Sequence, residues 1–158
     1  MINDLILIVD DSKFIARAYS RVLLDLGYQV LVACDGKTGL LAAEGCIPSL
    51  ILLATLMRDM DGVDVLRRLK QAPSTADIPV LVISSLSKTN SKKLIQEGAS
   101  GYFEKGSMTP EKLENAVSGI LKKRLLVPNE SDVNKLKLTA PSLDVKSTES
   151  DSDLRRER

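Results

Sequence analysis

The chain alternates short apolar runs with longer stretches in which apolar residues recur at helical spacing. The runs have the length of strands, and the third, apolar throughout, is typical of a strand covered on both faces. The predicted strands are Leu5–Val9, Gln29–Ala33, Leu50–Leu53, Val80–Ser84 and Gly101–Glu104. The first predicted helix is capped by Ser12 and runs to about Leu26, and the second follows a turn at Asp35 and Gly36 and runs to about Glu44. The other predicted helices lie over Val63–Gln71, over Lys88–Glu97, and from Pro110 to about Lys123. Five strands, each followed by a helix, predict an α/β fold with a parallel sheet and right-handed crossovers.

Two of the helices carry a defined apolar face, and one does not. In the first helix the recurring apolar positions are Ile15, Ala18, Tyr19, Val22 and Leu26. In the third helix they are Val63, Leu66 and Leu69. The fourth helix has Leu94 and Ile95 as its only large apolar residues, which predicts a weakly held helix.

The alternation of strands and helices stops near Leu125. The segment that follows is rich in Ser, Asp, Glu, Lys and Arg and contains no aromatic residue. Such a segment buries too little apolar surface to offset the entropy lost on ordering. The sequence therefore predicts a folded domain over residues 1–124 and a polar, disordered tail over residues 125–158. A short amphipathic turn around residues 133–138 is the alternative for part of that tail.

Composition narrows the chemistry that this fold can carry. Hydrophobic residues make up 44% of the chain, enough for a full core, and the formal net charge is +1. A nearly neutral chain does not favour binding through nucleic-acid phosphates. The chain has no histidine, which excludes Ser-His and Cys-His nucleophile pairs and histidine metal ligands.

The cysteines and the N-terminal segment both favour a cytoplasmic protein. Cys34 and Cys46 are too far apart for a Cys-x-x-Cys motif and are predicted to be reduced and half-buried. The apolar run Leu5–Val9 is too short for a signal peptide. No apolar stretch reaches the ~18 residues that a membrane span needs, so no membrane partner is predicted.

Polar residues cluster where the predicted strands end. Asp10 and Asp11 follow the first strand, Ser84 ends the fourth, and Lys105 follows the fifth. The carboxyl ends of parallel strands share one edge of the sheet, which is where ligands bind in such folds. Taken singly, these residues are ordinary helix caps and a solvated lysine. Together they suit a definite chemistry, because paired carboxylates attract Mg²⁺, and a hydroxyl with an ammonium suits a phosphoryl group.

Four segments resemble the motifs of CheY-like receiver domains of two-component response regulators. They are Leu7–Ser12, Pro48–Gly62, Val80–Ser85 and Ala99–Lys105. The resemblance covers about residues 4–124. It implies a doubly wound, flavodoxin-like sheet of five parallel strands in the order 2-1-3-4-5, with helices on both faces. It also implies a non-enzymatic role in a phosphorelay.

The resemblance further implies a role for each residue of the site. Asp10, Asp11 and the backbone carbonyl of Leu56 would bind Mg²⁺. Ser84 and Lys105 would contact the phosphoryl group, and Ser84 would act with Tyr102 as a switch pair. The switch would alter the face formed by helix 4, strand 5 and helix 5, which would bind a downstream protein. The upstream partner would be a histidine kinase or a phosphotransfer protein.

The chain departs from the family pattern in three places. Ala54 occupies the position of the phosphoacceptor aspartate, and Arg58 replaces a usual proline. Gly106 stands where a proline, often after a cis peptide bond, follows the lysine, and it is expected to loosen that loop. A methyl group cannot attack phosphohistidine, so Ala54 predicts a receiver that takes up no phosphoryl group and binds Mg²⁺ weakly.

Two origins of Ala54 stay open at this point. Because Asp10, Asp11, Ser84 and Lys105 are all kept, we favour an aspartate-to-alanine change in an otherwise competent receiver. The alternative is a natural pseudo-receiver, an adaptor that acts through protein contacts without phosphorylation.

Two functions of other classes are disfavoured. Asp59–Gly62 is similar to the DxDG nucleophile motif of haloacid dehalogenase phosphohydrolases. That motif must lie at the tip of a buried strand, whereas the third strand is predicted to end at Leu53, so a turn that caps the next helix is the preferred interpretation. A DNA-binding regulator is disfavoured because the segment after Lys123 is too short and too polar for a helix-turn-helix.

Overall fold

A computed structural model of the chain describes residues 3–85 and 91–126. Within these ranges the chain forms one five-stranded parallel sheet in the order β2-β1-β3-β4-β5, flanked by helices. The strands are β1 (Leu5–Val9), β2 (Gln29–Ala33), β3 (Leu50–Ala54), β4 (Val80–Ser84) and β5 (Gly101–Glu104). The helices are α1 (Lys13–Asp25), α2 (Gly36–Cys46), α3 (Gly62–Gln71), α4 (Ser91–Gln96) and α5 (Pro110–Leu126). The predicted fold class and strand order are confirmed.

The sheet separates two hydrophobic clusters because successive strand residues point to opposite faces. On one face Leu7, Val9 and the side chains that follow the same alternation pack against α2, α3 and α4. On the other face Ile6, Ile8 and their neighbours pack against α1 and α5. All residues of the central strands β3 and β4 are buried, which explains why these two segments are apolar almost throughout.

Short polar side chains fix where three of the helices begin. Ser12, Asp35 and Asp61 are the N-caps of α1, α2 and α3, and each side chain accepts a hydrogen bond from a backbone N–H of the first turn. The predicted helix-capping turn before α3 is therefore confirmed. At the other end of α1, Gly27 has a φ of 94°, a left-handed conformation that ends the helix where the sequence predicted.

The buried faces of the helices differ in detail from the prediction. In α3 the buried residues include Val65, Leu66 and Leu69, whereas Val63 is half-buried. Repeated steps of three residues drift around a helix of 3.6 residues per turn, so the predicted face was rotated from the true one. In α1 the buried residues are Ala16 and Leu23, and Ala18 is exposed.

Several element boundaries and one burial class also differ. β3 continues through Ala54, one residue further than predicted, and α5 continues to Leu126. α4 begins at Ser91, and the predicted helical residues 88–90 lie outside the described residues. Both cysteines are free, as predicted, but exposed rather than half-buried.

No helix in the described part of the chain is long and apolar enough to cross a membrane. The predicted tail from residue 127 onward lies outside the described residues, and the domain boundary at residue 124 stays a prediction.

Candidate functional site

The parallel register brings the predicted site residues to one edge of the sheet. Val9 of β1 lies opposite Leu53 of β3, so the next residues, Asp10 and Ala54, reach the same level of the sheet. Ala54 is in turn opposite Ile83 of β4. In this register the carboxyl ends of β1, β3 and β4 lie at one edge of the sheet, as expected.

Asp10 is a buried carboxylate whose two oxygens both have partners. Its Oδ2 atom lies 3.0 Å from Lys105 Nζ, and its side chain is only 4% exposed. Its Oδ1 atom accepts a hydrogen bond of 2.9 Å from the backbone N–H of Ser12. Burial raises the pKa of the nearby Tyr19 phenol, and the charge of Asp10 raises it further. Asp10 and Lys105, which are 95 positions apart in the chain, thus form a direct ion pair.

The residue between these charged groups on the sheet is an alanine. Ala54 ends β3, is 3% exposed, and offers neither a nucleophilic oxygen nor a charge. The next residue, Thr55, is also buried, and its hydroxyl is hydrogen-bonded to the hydroxyl of Ser84. Ser84 is therefore at the predicted edge and pairs with a residue that the sequence analysis missed. The available signal was a polar side chain directly after an otherwise apolar strand.

An open cleft is lined in part by Asp11, the residue that follows Asp10. The cleft has a volume of about 750 Å³, and Asp11, Lys13, Phe14 and Arg58 contribute to its walls. Asp11 is half-buried, and Arg58 is exposed, so its charge does not lie in the core. Leu56 is 56% exposed.

A second missed residue, Asp59, fixes the loop after β3. Its carboxylate accepts hydrogen bonds of 2.9 Å from the backbone N–H groups of both Gly36 and Lys37, at the first turn of α2. These bonds lower the pKa of the Asp59 carboxyl below its ordinary value of 3.8. The partners are 22 and 23 residues away in sequence, so the sequence indicated only a turn here.

The Asp59→Asn substitution is expected to lower the free energy of unfolding at neutral pH and to change it little in acid. Because the folded-state pKa of this carboxyl is depressed, its stabilisation is present above its unfolded pKa and is lost as the pH falls through the folded value. Urea midpoints of the parent and the variant, measured at about pH 7 and about pH 3, should therefore differ more at the higher pH. An equal difference at both pH values would contradict this account.

The strand and loop that carry Lys105 complete the site. Tyr102 is half-buried in β5, against the cluster formed with α2, α3 and α4. The chain then makes one turn of 3₁₀ helix over Lys105–Ser107, with Gly106 exposed. Among the described residues no peptide bond is cis. The N–H of Met108 donates to the carbonyl of Lys105 at 3.3 Å, so this loop keeps an internal hydrogen bond, and its predicted loosening stays untested.

The side chains at this edge do not, as arranged, fit a divalent cation. Nowhere in residues 3–85 and 91–126 do three acidic, histidine or cysteine residues come together as potential metal ligands. Asp11 is half-buried nearby, but both oxygens of Asp10 already have partners. A cation such as Mg²⁺, which needs carboxylate oxygens, would have to displace Lys105 from Asp10.

A doubly wound sheet in this strand order, with acidic residues and a lysine at its carboxyl edge, defines a class of signalling domain. The model of the response regulator receiver domain family matches residues 6–118, and the chain belongs to this family. Receiver domains of two-component systems accept a phosphoryl group, bind Mg²⁺ at an acidic pocket, and interact with histidine kinases and downstream partners.

Curated relatives and solved structures agree with this assignment. The chain is 38% identical over 114 residues to the gliding motility regulatory protein of Myxococcus xanthus, and 38% identical over 101 residues to the response regulator PleD of Caulobacter vibrioides. These matches cover 71% and 63% of the chain, but only 14% and 22% of the relatives' own lengths. The chain therefore corresponds to one part of each relative.

The receiver domain of a putative LuxO repressor protein from Vibrio parahaemolyticus gives a TM-score of 0.72 at 29% identity. That comparison covers 79% of this chain and 95% of the other. The chemotaxis protein CheY4 of Vibrio cholerae gives a TM-score of 0.70 at 26% identity, covering 75% and 98% of the two chains. Both similarities extend over nearly the whole of the other chain, as expected for a receiver domain.

Proposed function

We propose that this chain is a receiver domain that cannot be phosphorylated, because Ala54 stands at the position of the phosphoacceptor aspartate. The observation that carries the proposal is a buried methyl group at the end of β3, level with Asp10. Phosphoryl transfer requires an oxygen nucleophile at that point, and Ala54 has none. The nearest alternatives, the hydroxyls of Thr55 and Ser84, are buried and bonded to each other, and the chain has no histidine to serve as a base.

The loss of the acceptor also affects the proposed metal site, phosphoryl pocket and switch pair. Asp10, Asp11 and the backbone carbonyl of Leu56 are the groups that would hold Mg²⁺. Because Lys105 already pairs with Asp10 and position 54 adds no carboxylate, their affinity for the cation is expected to be lower than that of a receiver with an aspartate at position 54. Ser84 and Lys105 form a phosphoryl pocket that receives no phosphoryl group. The switch of Ser84 and Tyr102 therefore stays in its resting arrangement.

The output surface of the proposal is the face formed by α4, β5 and α5. α4 contributes one buried residue, Leu94. Its following turn is tied to α3 by Arg67, which contacts both carboxylate oxygens of Glu97 at 3.0 and 3.3 Å. This pair lowers the pKa of Glu97, but both side chains are solvent-accessible and the pair is a weak restraint. A short, weakly held helix suits a surface whose partner depends on a small conformational change.

The chain is expected to take up no phosphoryl group from acetyl phosphate in the presence of Mg²⁺. Radiolabelling followed by acid treatment tests this prediction. Acid-labile label on the parent chain would contradict the absence of a carboxylate acceptor, and acid-stable label would identify a hydroxyl such as that of Thr55 as an unexpected acceptor.

Hydrogen exchange over residues 88–102 is likewise expected to stay unchanged when beryllofluoride and Mg²⁺ are added, because no carboxylate receives the analogue.

A natural pseudo-receiver that serves as an adaptor is the second candidate. It is favoured by the pairing of the charged and polar side chains with each other, Asp10 with Lys105 and Thr55 with Ser84. Retention of the family's acidic pair, hydroxyl and lysine favours an aspartate-to-alanine change in a competent receiver instead. In both cases we place the domain in the cytoplasm, with a histidine kinase or phosphotransfer protein as its upstream partner and no nucleic-acid or membrane partner.

A further inference from the structure

The ion pair between Asp10 and Lys105 is more deeply buried than the ion pairs that Arg67 forms with Asp64 and Glu97. The exposed fraction is 4% for the Asp10 side chain and 17% for that of Lys105, against 27% or more in the other ion pairs. A carboxylate this far from solvent must be neutralised by a partner, because an isolated buried charge is strongly unfavourable. Lys105 provides that positive charge.

Lys105 and a divalent cation would compete for the same oxygen atom. Lys105 Nζ lies 3.0 Å from Asp10 Oδ2, and a Mg²⁺ ligand distance is about 2.1 Å, so the two cations would stand within about 5 Å of each other. At that separation two positive charges sharing one carboxylate repel. The other oxygen, Oδ1, is already bonded to the backbone N–H of Ser12.

Holding Lys105 and a divalent cation together would require a second negative charge beside Asp10, and Ala54 does not supply one. Its methyl group adds no negative charge at the end of β3. Within the described residues, the acidic partner of Lys105 is Asp10 alone. One ammonium therefore suffices to balance the one deeply buried carboxylate.

We propose that Lys105 is the resident counter-ion of Asp10 and that this ion pair, in addition to the missing carboxylate at position 54, keeps divalent cations out of the acidic pocket. The inference rests on the proposed function, in which position 54 carries no acceptor. It assigns to Lys105 a role in the resting protein, in addition to any contact with a phosphoryl group.

The test is Mg²⁺ binding to the Lys105→Met variant, measured by isothermal titration calorimetry after treatment with chelator. Removing the ammonium leaves the buried Asp10 carboxylate without a counter-ion. The variant is therefore expected to bind Mg²⁺ at least about tenfold more tightly than the parent. The variant's thermal midpoint should be lower than the parent's without metal and should rise when Mg²⁺ is added. The parent's midpoint should respond little to Mg²⁺.

Lys13→Met is the matched control, because Lys13 lines the cleft beside Asp11, is exposed, and carries the same charge. It should leave Mg²⁺ affinity unchanged, and Asp10→Asn in the Lys105→Met background should abolish the gain. Lys105→Gln, which removes the charge but retains a hydrogen-bond donor, is a second variant if the methionine variant folds poorly. Equal gains in Lys13→Met and Lys105→Met, or no gain in either Lys105 variant, would overturn the proposal. Phosphoryl labelling of the parent chain would overturn the proposed function separately.

Discussion

Replacing Ala54 with aspartate is expected to turn a chain that takes up no phosphoryl group into one that acetyl phosphate labels in the presence of Mg²⁺. The change places a carboxylate at the end of β3, level with Asp10 and between β1 and β4. It supplies the missing nucleophile and a further anionic ligand for the metal. Label that is lost on acid or alkaline treatment, rising from background to a large fraction of the protein, is the expected readout.

The matched control for this gain is Ala54→Asn, which has nearly the same size and shape as aspartate. The amide has no nucleophilic carboxylate, so the variant should stay unlabelled. Labelling of both variants would place the acceptor elsewhere in the chain. A failure of Ala54→Asp to label, in a folded protein, would favour the natural pseudo-receiver over an aspartate-to-alanine change.

The same substitution is expected to carry a stability cost when metal is absent. A third carboxylate would join Asp10 and Asp11, and Lys105 already pairs with Asp10. Crowding of like charges should lower the free energy of unfolding by about 1 kcal/mol in chelator. Thermal melts of the parent and the variant would show this as a lower midpoint for the variant, and Mg²⁺ should restore it.

The fold was predictable from sequence because its strands are local and unambiguous. The runs at Leu5–Val9 and Val80–Ser84 are apolar almost throughout, and a strand buried on both faces needs that pattern. Alternation with helices then leaves few topologies, since parallel crossovers are right-handed. The strand order was taken from the family resemblance, because periodicity does not specify which strands are neighbours.

The sequence could place the candidate site residues at one edge of the sheet, but it could not specify the contacts between them. Parallel strands place Asp10 and Lys105 at one edge, but the 3.0 Å ion pair between them also depends on where the two side chains point. The hydrogen bond between Thr55 and Ser84 joins residues 29 positions apart. Such contacts depend on side-chain direction across the sheet edge, which no local pattern encodes.

The loop between β3 and α3 is also the place where a single methyl group should have a large effect. Gly62 begins α3, and a Cβ atom there would overlap the carbonyl oxygen of Ala54 and lie 2.6 Å from the Cα atom of Thr55. Both are backbone atoms at the end of a fully buried strand, so they cannot move aside at low cost. Gly62→Ala is therefore expected to lower the free energy of unfolding by about 3 kcal/mol, measured by urea unfolding.

Gly119→Ala is the matched control for that effect, since it makes the same chemical change in another helix. Gly119 lies in the middle of α5, is exposed, and a Cβ atom there would meet no neighbour within 4 Å. Because alanine is favoured over glycine inside a helix, this variant should be more stable than the parent by about 0.5–1 kcal/mol. The two variants should thus change stability in opposite directions. A small effect of Gly62→Ala, similar to that of Gly119→Ala, would mean that the loop after β3 can move away from α3, and that the edge carrying Ala54 and Thr55 is less rigid than the close approach of Gly62 indicates.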